Sequence, residues 1–179
     1  MRVFVALPLP NPIRHRLASL RSGLPGARWV APENMHVTLR FIGEVEGDEV
    51  EEVDAALAEV RVPAFDVSIG GIGFFDRGRK VHAVWAGIEA EGGLDRLQKK
   101  VESAVVRAGF EPERRKFKPH VTIARLRGTP VHHVGAYIEA YDGFASDPFR
   151  AEHFTLFRSH LGREGAVYEP LVDYPLDES

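Results

Sequence analysis

The sequence predicts an α+β fold: two lobes of antiparallel β-sheet, related by approximate two-fold symmetry, with helices outside and a cleft between them. Three observations carry that expectation. Short runs of alternating apolar residues are interspersed with segments of helical period. No apolar run approaches the length of a membrane span. One short motif occurs twice, far apart in the chain.

Taken in order, Val3 to Leu7 reads as a buried strand, and Pro8 and Pro10 break it before it could serve as the apolar region of a signal peptide. Asn11 to about Leu24 reads as a helix, with Asn11 as N-cap, Pro12 at the first helical position, and Ile13, Leu17, Leu20 and Leu24 on one face. Trp29-Val30 is a short extended piece. Met35 to Ile42 alternates as a strand that Gly43 ends, and Val50, Val53, Leu57 and Val60 mark a second helix stopped by Pro63.

Phe65 to Ile72 and Val81 to Ile88 read as a hairpin joined by the polar stretch Asp76-Arg77-Gly78-Arg79-Lys80. Leu94, Leu97, Val101, Ala104, Val105 and Ala108 share a helical face, and Gly109 suits the helix end. His120 to Leu126 is a further strand, and Tyr137-Ile138 sits in a short helix that begins after Pro130. Phe149 to Phe157 and Ala166 to Leu171 close the fold as strands, and Asp177-Glu178-Ser179 trails off.

Composition bounds the partners. The 179 residues are 44% hydrophobic and 27% charged, enough for a substantial core, and residues 1–179 are expected to form one unit of two intertwined lobes. There is no cysteine, which removes disulfides, thiolate metal sites and a cysteine nucleophile, and fits a cytoplasmic protein. The formal net charge of −3 opposes non-specific binding to long nucleic acid, so a polyanion must be held locally. The one dense basic stretch, Arg114-Arg115-Lys116-Phe117-Lys118, ends beside the second copy of the motif; most of it is expected to be a solvated face. No exposed apolar helix or long sheet edge is evident, so a monomer is expected.

The repeated motif is His36-Val37-Thr38, which recurs 84 positions later (36 to 120) as His120-Val121-Thr122, each time on a strand that follows an amphipathic helix. One such tripeptide is a weak signal, since a lone strand histidine is usually only hydrogen-bonded in place. Two copies in matching contexts, each followed by an arginine within five positions, are a poor coincidence. Strand alternation puts each histidine beside its threonine on one face, with Val37 and Leu39, or Val121 and Ile123, anchoring the other. Across a groove, two imidazoles and two hydroxyls suit opening of a cyclic phosphodiester. One histidine takes a proton from water and the other gives one to the departing oxygen, while the threonines and an arginine hold the nonbridging oxygens.

Metal binding is the main rival use for two histidines. Zinc wants three or four convergent ligands and harder ions want carboxylates, so no metal or other cofactor is expected. His132-His133 are expected to splay apart, and His15, His82, His153 and His160 show no ligand spacing. Gly70-Gly71-Ile72-Gly73 lacks the pattern of a dinucleotide loop and is expected to mark a strand bend. Phe74, Phe75 and Trp85 could stack on a base but are expected to be core.

On these residues the chain resembles the 2H phosphoesterases, named for two His-x-Thr motifs, and within them the RNA 2′,3′-cyclic phosphodiesterases historically called 2′-5′ RNA ligases. The likeness spans nearly the whole chain, through Arg2 to Leu7, Trp29-Val30, Asn34 to Gly43, Val84 to Ile88 and Phe117 to Arg125. It implies a bilobal fold with both motifs in a central cleft, and hydrolysis of cyclic phosphates at RNA 3′ ends to 2′-phosphomonoesters. It further implies that His36 donates the proton to the 3′-oxygen, that His120 activates water, and that Thr38, Thr122 and Arg125 hold the phosphate. Arg125, five residues after His120, falls on the wrong face of an unbroken strand. A bulge before it would correct this; otherwise Arg40, whose parity agrees with His36, carries more of the binding, and Lys118 is a further candidate. Ligation or cleavage of 2′-5′ linkages, turnover of a small cyclic nucleotide, and recognition of RNA ends without turnover are the alternatives.

Overall fold

A computed structural model describes residues 1–178 of the chain; Ser179 falls outside it. The apolar opening forms β1 (Arg2–Pro8), after which the prolines start α1 (Asn11–Ala18). Pro10 rather than Asn11 is the N-cap, because its carbonyl already accepts from the amides of Ile13 and Arg14. The helix is a turn and a half shorter than its apolar period suggests. Its end is capped by Ser19, and Leu20 and Leu24 stay buried on an irregular turn through Gly23 and Gly26, both at positive φ.

There follow β2 (Arg28–Trp29), a 3-10 turn (Pro32–Asn34), β3 (His36–Glu44) and α2 (Gly47–Leu57), whose start is closed by a capping box between Glu46 and Glu49. The helix stops before Val60, which is buried in a tight turn. The hairpin is longer than expected: β4 (Phe65–Arg77) and β5 (Lys80–Glu89) pair through the polar residues to a two-residue turn, Gly78-Arg79, with both φ values positive. Backbone pairing does not require apolar side chains, so polarity alone misjudged the loop. Gly71, at φ 77, sits at the irregularity that bends β4.

Next come α3 (Gly93–Arg107), β6 (His120–Pro130), α4 (Val131–Tyr141), β7 (Phe149–Ala151), β8 (His153–Gly162) and β9 (Gly165–Pro175). The expected strand Phe149 to Phe157 is thus two strands in different sheets, since an apolar run does not reveal where the chain changes partner. The C-terminal segment is also tied down: Asp177 exchanges backbone hydrogen bonds with Val62 and Ala64.

Two antiparallel sheets result, ordered β3-β1-β8-β9 and β2-β6-β5-β4-β7. In each, the motif strand lies against the strand before its preceding helix, β3 on β1 and β6 on β5. The connections cross over: the turn after α1 reaches α4, where the Tyr137 hydroxyl donates to the Leu20 carbonyl, while α3 packs on β3 and α2 as well as on β4. Buried residues from both sheets form one cluster, including Val5, Leu7, Val37 and Leu39 with Val84, Ala86, Val121 and Ile123. Among the described residues no helix is long and apolar enough to cross a membrane.

Candidate active site

The two motif strands carry the same irregularity. On β3, Pro8, Leu7 and Ala6 of β1 face His36, Val37 and Thr38 in step, but the next pair is Val5 with Arg40, so Leu39 is an extra residue. On β6, Gly87, Ala86 and Trp85 face His120, Val121 and Thr122, and the next pair is Val84 with Ala124, so Ile123 is extra. Each is a β-bulge, and one inserted residue reverses the side to which all later side chains point. Positions four after each histidine therefore turn into the protein, and positions five after turn out: Arg40 and Ala124 are buried, Phe41 and Arg125 are exposed.

This decides among the arginine candidates. Arg125 lines the cleft on the face of His120 and Thr122. Arg40 does not: it is 7% exposed, donates to Glu102 of α3 at 3.1 Å, and donates a second bond to the Glu111 carbonyl. The expectation that Arg40 binds phosphate is corrected, because the bulge at Leu39 reverses its parity and a carboxylate already holds its charge. Lys118 is corrected as well. Its side chain is exposed and does not line the cleft, and it is the main-chain carbonyl that serves the site.

That carbonyl is one of a matched pair. His36 Nδ1 donates to the Asn34 carbonyl at 2.7 Å, and His120 Nδ1 donates to the Lys118 carbonyl at 2.5 Å, each two residues upstream. A carbonyl can only accept, so both rings carry their proton on Nδ1 and present Nε2. His36 Nε2 accepts from the Thr38 hydroxyl at 3.0 Å. Each ring is also packed by aromatics: Phe4 and Tyr168 lie 4.9 and 5.3 Å from His36, and Phe75 stands edge-on to His120 at 4.9 Å, with Trp85 behind it. Trp85 lies across Gly73, where a Cβ would sit 2.2 Å from its ring.

The cleft encloses about 490 Å³ and brings together His36, Thr38, His120, Thr122 and Arg125, with Arg28 at its edge. Burial drives His36 well below the ordinary imidazole range, to about 4, against the pull of the Asn34 carbonyl; the charges of Arg125, His120 and Arg14 push the same way as burial. His120 is lowered too, first by burial and then by Arg125, against the Lys118 carbonyl. Both imidazoles of the free protein thus favour the neutral form, in a site electrostatically prepared for an anion.

The other six histidines lie outside the cleft lining. His153 and His160 stand near Asp173 and Glu169 at the surface, and His132 and His133 do not splay: their rings meet edge to face, 4.2 Å between centroids. Among the described residues, no three His, Cys, Asp or Glu side chains converge as a metal site would need. Sequence reasoning missed Asn34, Arg28 and Tyr168. Asn34 does its work through a backbone carbonyl, while its side chain donates to Ala166 on β9, and Tyr168 reaches the site only through the pairing of β8 with β9.

A family model described as LigT like Phosphoesterase matches residues 7–85 and again 87–168, one copy of the motif in each part. The RNA 2′,3′-cyclic phosphodiesterase of Archaeoglobus fulgidus is 32% identical over 175 residues, 96% of this chain and 98% of that protein. The protein of that name from Bacillus subtilis is 31% identical over 179 residues, 97% and 95% of the two chains. Among solved structures, Escherichia coli LigT complexed with 3′-AMP superposes with a TM-score of 0.81 at 28% identity, covering 99% of this chain and 98% of that one. TT0787 of Thermus thermophilus reaches 0.82 at 26% identity, covering 99% of each. The doubled match, aligned with the two bulged motif strands, makes the chain a member of the LigT-like, or 2H, phosphoesterase family.

Proposed function

We propose that the protein hydrolyses 2′,3′-cyclic phosphates at RNA 3′ ends to 2′-phosphomonoesters, with His36 and His120 as general acid and base. The observation that carries this reading is the convergence of two identically held histidines, each with its threonine, on one cleft beside Arg125. Water attacks phosphorus as His120 Nε2 takes its proton; the bond from phosphorus to the 3′-oxygen breaks, and His36 Nε2 supplies that oxygen with a proton. Thr38, Thr122 and Arg125 hold the nonbridging oxygens, where charge accumulates. The chemistry needs no group that this chain does not supply.

The electrostatics bear on the two roles. In the free protein His36 is the harder ring to protonate, so its work as an acid depends on the substrate. A bound phosphate offsets Arg125 and Arg14 and raises His36 toward the pH of the cytoplasm, where the absence of cysteine suggests the enzyme works. The name carried by the curated relatives supports the RNA substrate.

The test is to incubate EDTA-treated protein with an oligoribonucleotide ending in a 2′,3′-cyclic phosphate and to separate 2′- from 3′-phosphate products. Wild type should yield the 2′-phosphate, and His36→Ala and His120→Ala should each lose roughly 10²–10⁴-fold in turnover. No conversion by wild type, or near-wild-type rates in both variants, would overturn the reading.

A further inference from the structure

Across the short edge strand β2, Arg28 is the direct antiparallel partner of Arg125, and both side chains line the cleft. Like charges directly opposite on neighbouring strands repel, and a folded chain ordinarily separates them or places a carboxylate between them. Other arginines of this chain are matched to carboxylates: Arg40 sits on Glu102 and Arg115 on Glu113. Among the described residues the side chains of Arg28 and Arg125 have no ion-pair or hydrogen-bond partner, although Glu164 lines the same cleft.

The pair is also held in place. Trp29 pairs with Ala124, and the Val30 amide donates to the Ile123 carbonyl at 2.9 Å, so β2 is fixed to β6 at the bulge itself. The bulge that turns Arg125 outward therefore aligns it with Arg28. Arg125 is near enough to act on both imidazoles, whereas Arg28 stands one strand further out. Two guanidiniums at successive distances from the reacting phosphorus fit a ligand with two phosphates.

We propose that Arg28 binds the 5′-phosphate of the terminal nucleotide, the one that links it to the rest of the RNA, while Arg125 holds the cyclic phosphate. This rests on the hydrolase reading above and narrows its substrate to cyclic ends that carry a 5′-phosphate, in preference to bare cyclic nucleosides.

The experiment compares adenosine 2′,3′-cyclic phosphate with its 5′-phosphorylated form as substrates. A charge-assisted contact of ordinary strength predicts a kcat/KM ratio of roughly 10- to 100-fold in favour of the 5′-phosphate. In Arg28→Gln that ratio should collapse toward one, chiefly through KM, and Arg28→Lys should restore part of it. Removing one of two facing cations should leave the melting temperature unchanged or raised, which separates the effect from misfolding.

A wild-type ratio near one, or a ratio that survives in Arg28→Gln, overturns the proposal. Should wild type turn over neither compound, the hydrolase reading is judged by the oligoribonucleotide assay above, and the clamp is read from binding by calorimetry. Adenosine 2′,5′-bisphosphate should then outbind adenosine 2′-phosphate in wild type and lose that advantage in Arg28→Gln. Equal binding of the two by wild type overturns the clamp as well.

Discussion

The two motif strands share one burial pattern over six residues but differ in the side chains they place at the fifth and sixth, and the difference is instructive. From the histidine onward β3 and β6 share one burial sequence: histidine and threonine half-buried, Val and Leu or Ile in the core, then a buried residue and an exposed one. Both have the bulge after threonine and both hold the histidine by the carbonyl two residues upstream. At the fifth position past histidine, β6 carries Arg125 and β3 carries Phe41, which is 43% exposed in the same cleft and has the Arg2 guanidinium over its ring at 5.4 Å. At the fourth, β6 has a plain Ala124 and β3 has Arg40 with its ion pair to α3. A near-symmetric frame thus supports an asymmetric site: the second lobe supplies the cation, and the first supplies an aromatic wall and a buried brace.

That brace gives the largest expected effect outside the histidines. Glu102 accepts from Arg40 with one oxygen and from the Glu113 amide with the other, so the pair ties β3 to the loop that leads into His120. Arg40→Ala strands Glu102 in a largely buried site and should cost about 3–5 kcal/mol in urea unfolding, the usual result of removing one partner of a buried pair. Ala124→Ser, at the matching place on β6, should cost far less. Equal costs would mean that Arg40 braces nothing.

Position five sharpens the comparison next. Arg125→Ala should lower kcat/KM on a cyclic-phosphate substrate by roughly 10- to 100-fold, the value of a charged hydrogen bond. Phe41→Ala should lower it less than tenfold, acting on KM. Similar losses from both would dissolve the distinction between a phosphate side and an aromatic side.

The comparison is sharpened further through pH dependence. Because the folded protein holds His36 at about 4 while an unfolded chain titrates near 6.5, the unfolded state binds the proton first. Stability should be full above about pH 6.5 and fall progressively as pH drops toward 4, and His36→Gln should flatten that decline. NMR titration of the ring carbons should find His36 below His120. The opposite order would show that burial does not separate the two.

Much of this was legible in the chain. The His-x-Thr pairs, their apolar backing residues and the helix that separates each motif from its partner strand all follow from local chemistry, whereas the choice between Arg125 and Arg40 stayed open until the strand register was known. Helix ends and the partition of Phe149 to Phe157 between two sheets did not, because apolar period records that a residue is buried and not what it is buried against.

What the sequence by itself determined is therefore the proposed set of two imidazoles and two hydroxyls on strands with one apolar face, since side-chain alternation is a property of each strand alone. What only the tertiary structure decided is which further groups join them. Register belongs to a pair of strands, and one extra residue in the pairing at Leu39 and at Ile123 sent Arg40 inward to Glu102, turned Arg125 outward, and set it opposite Arg28.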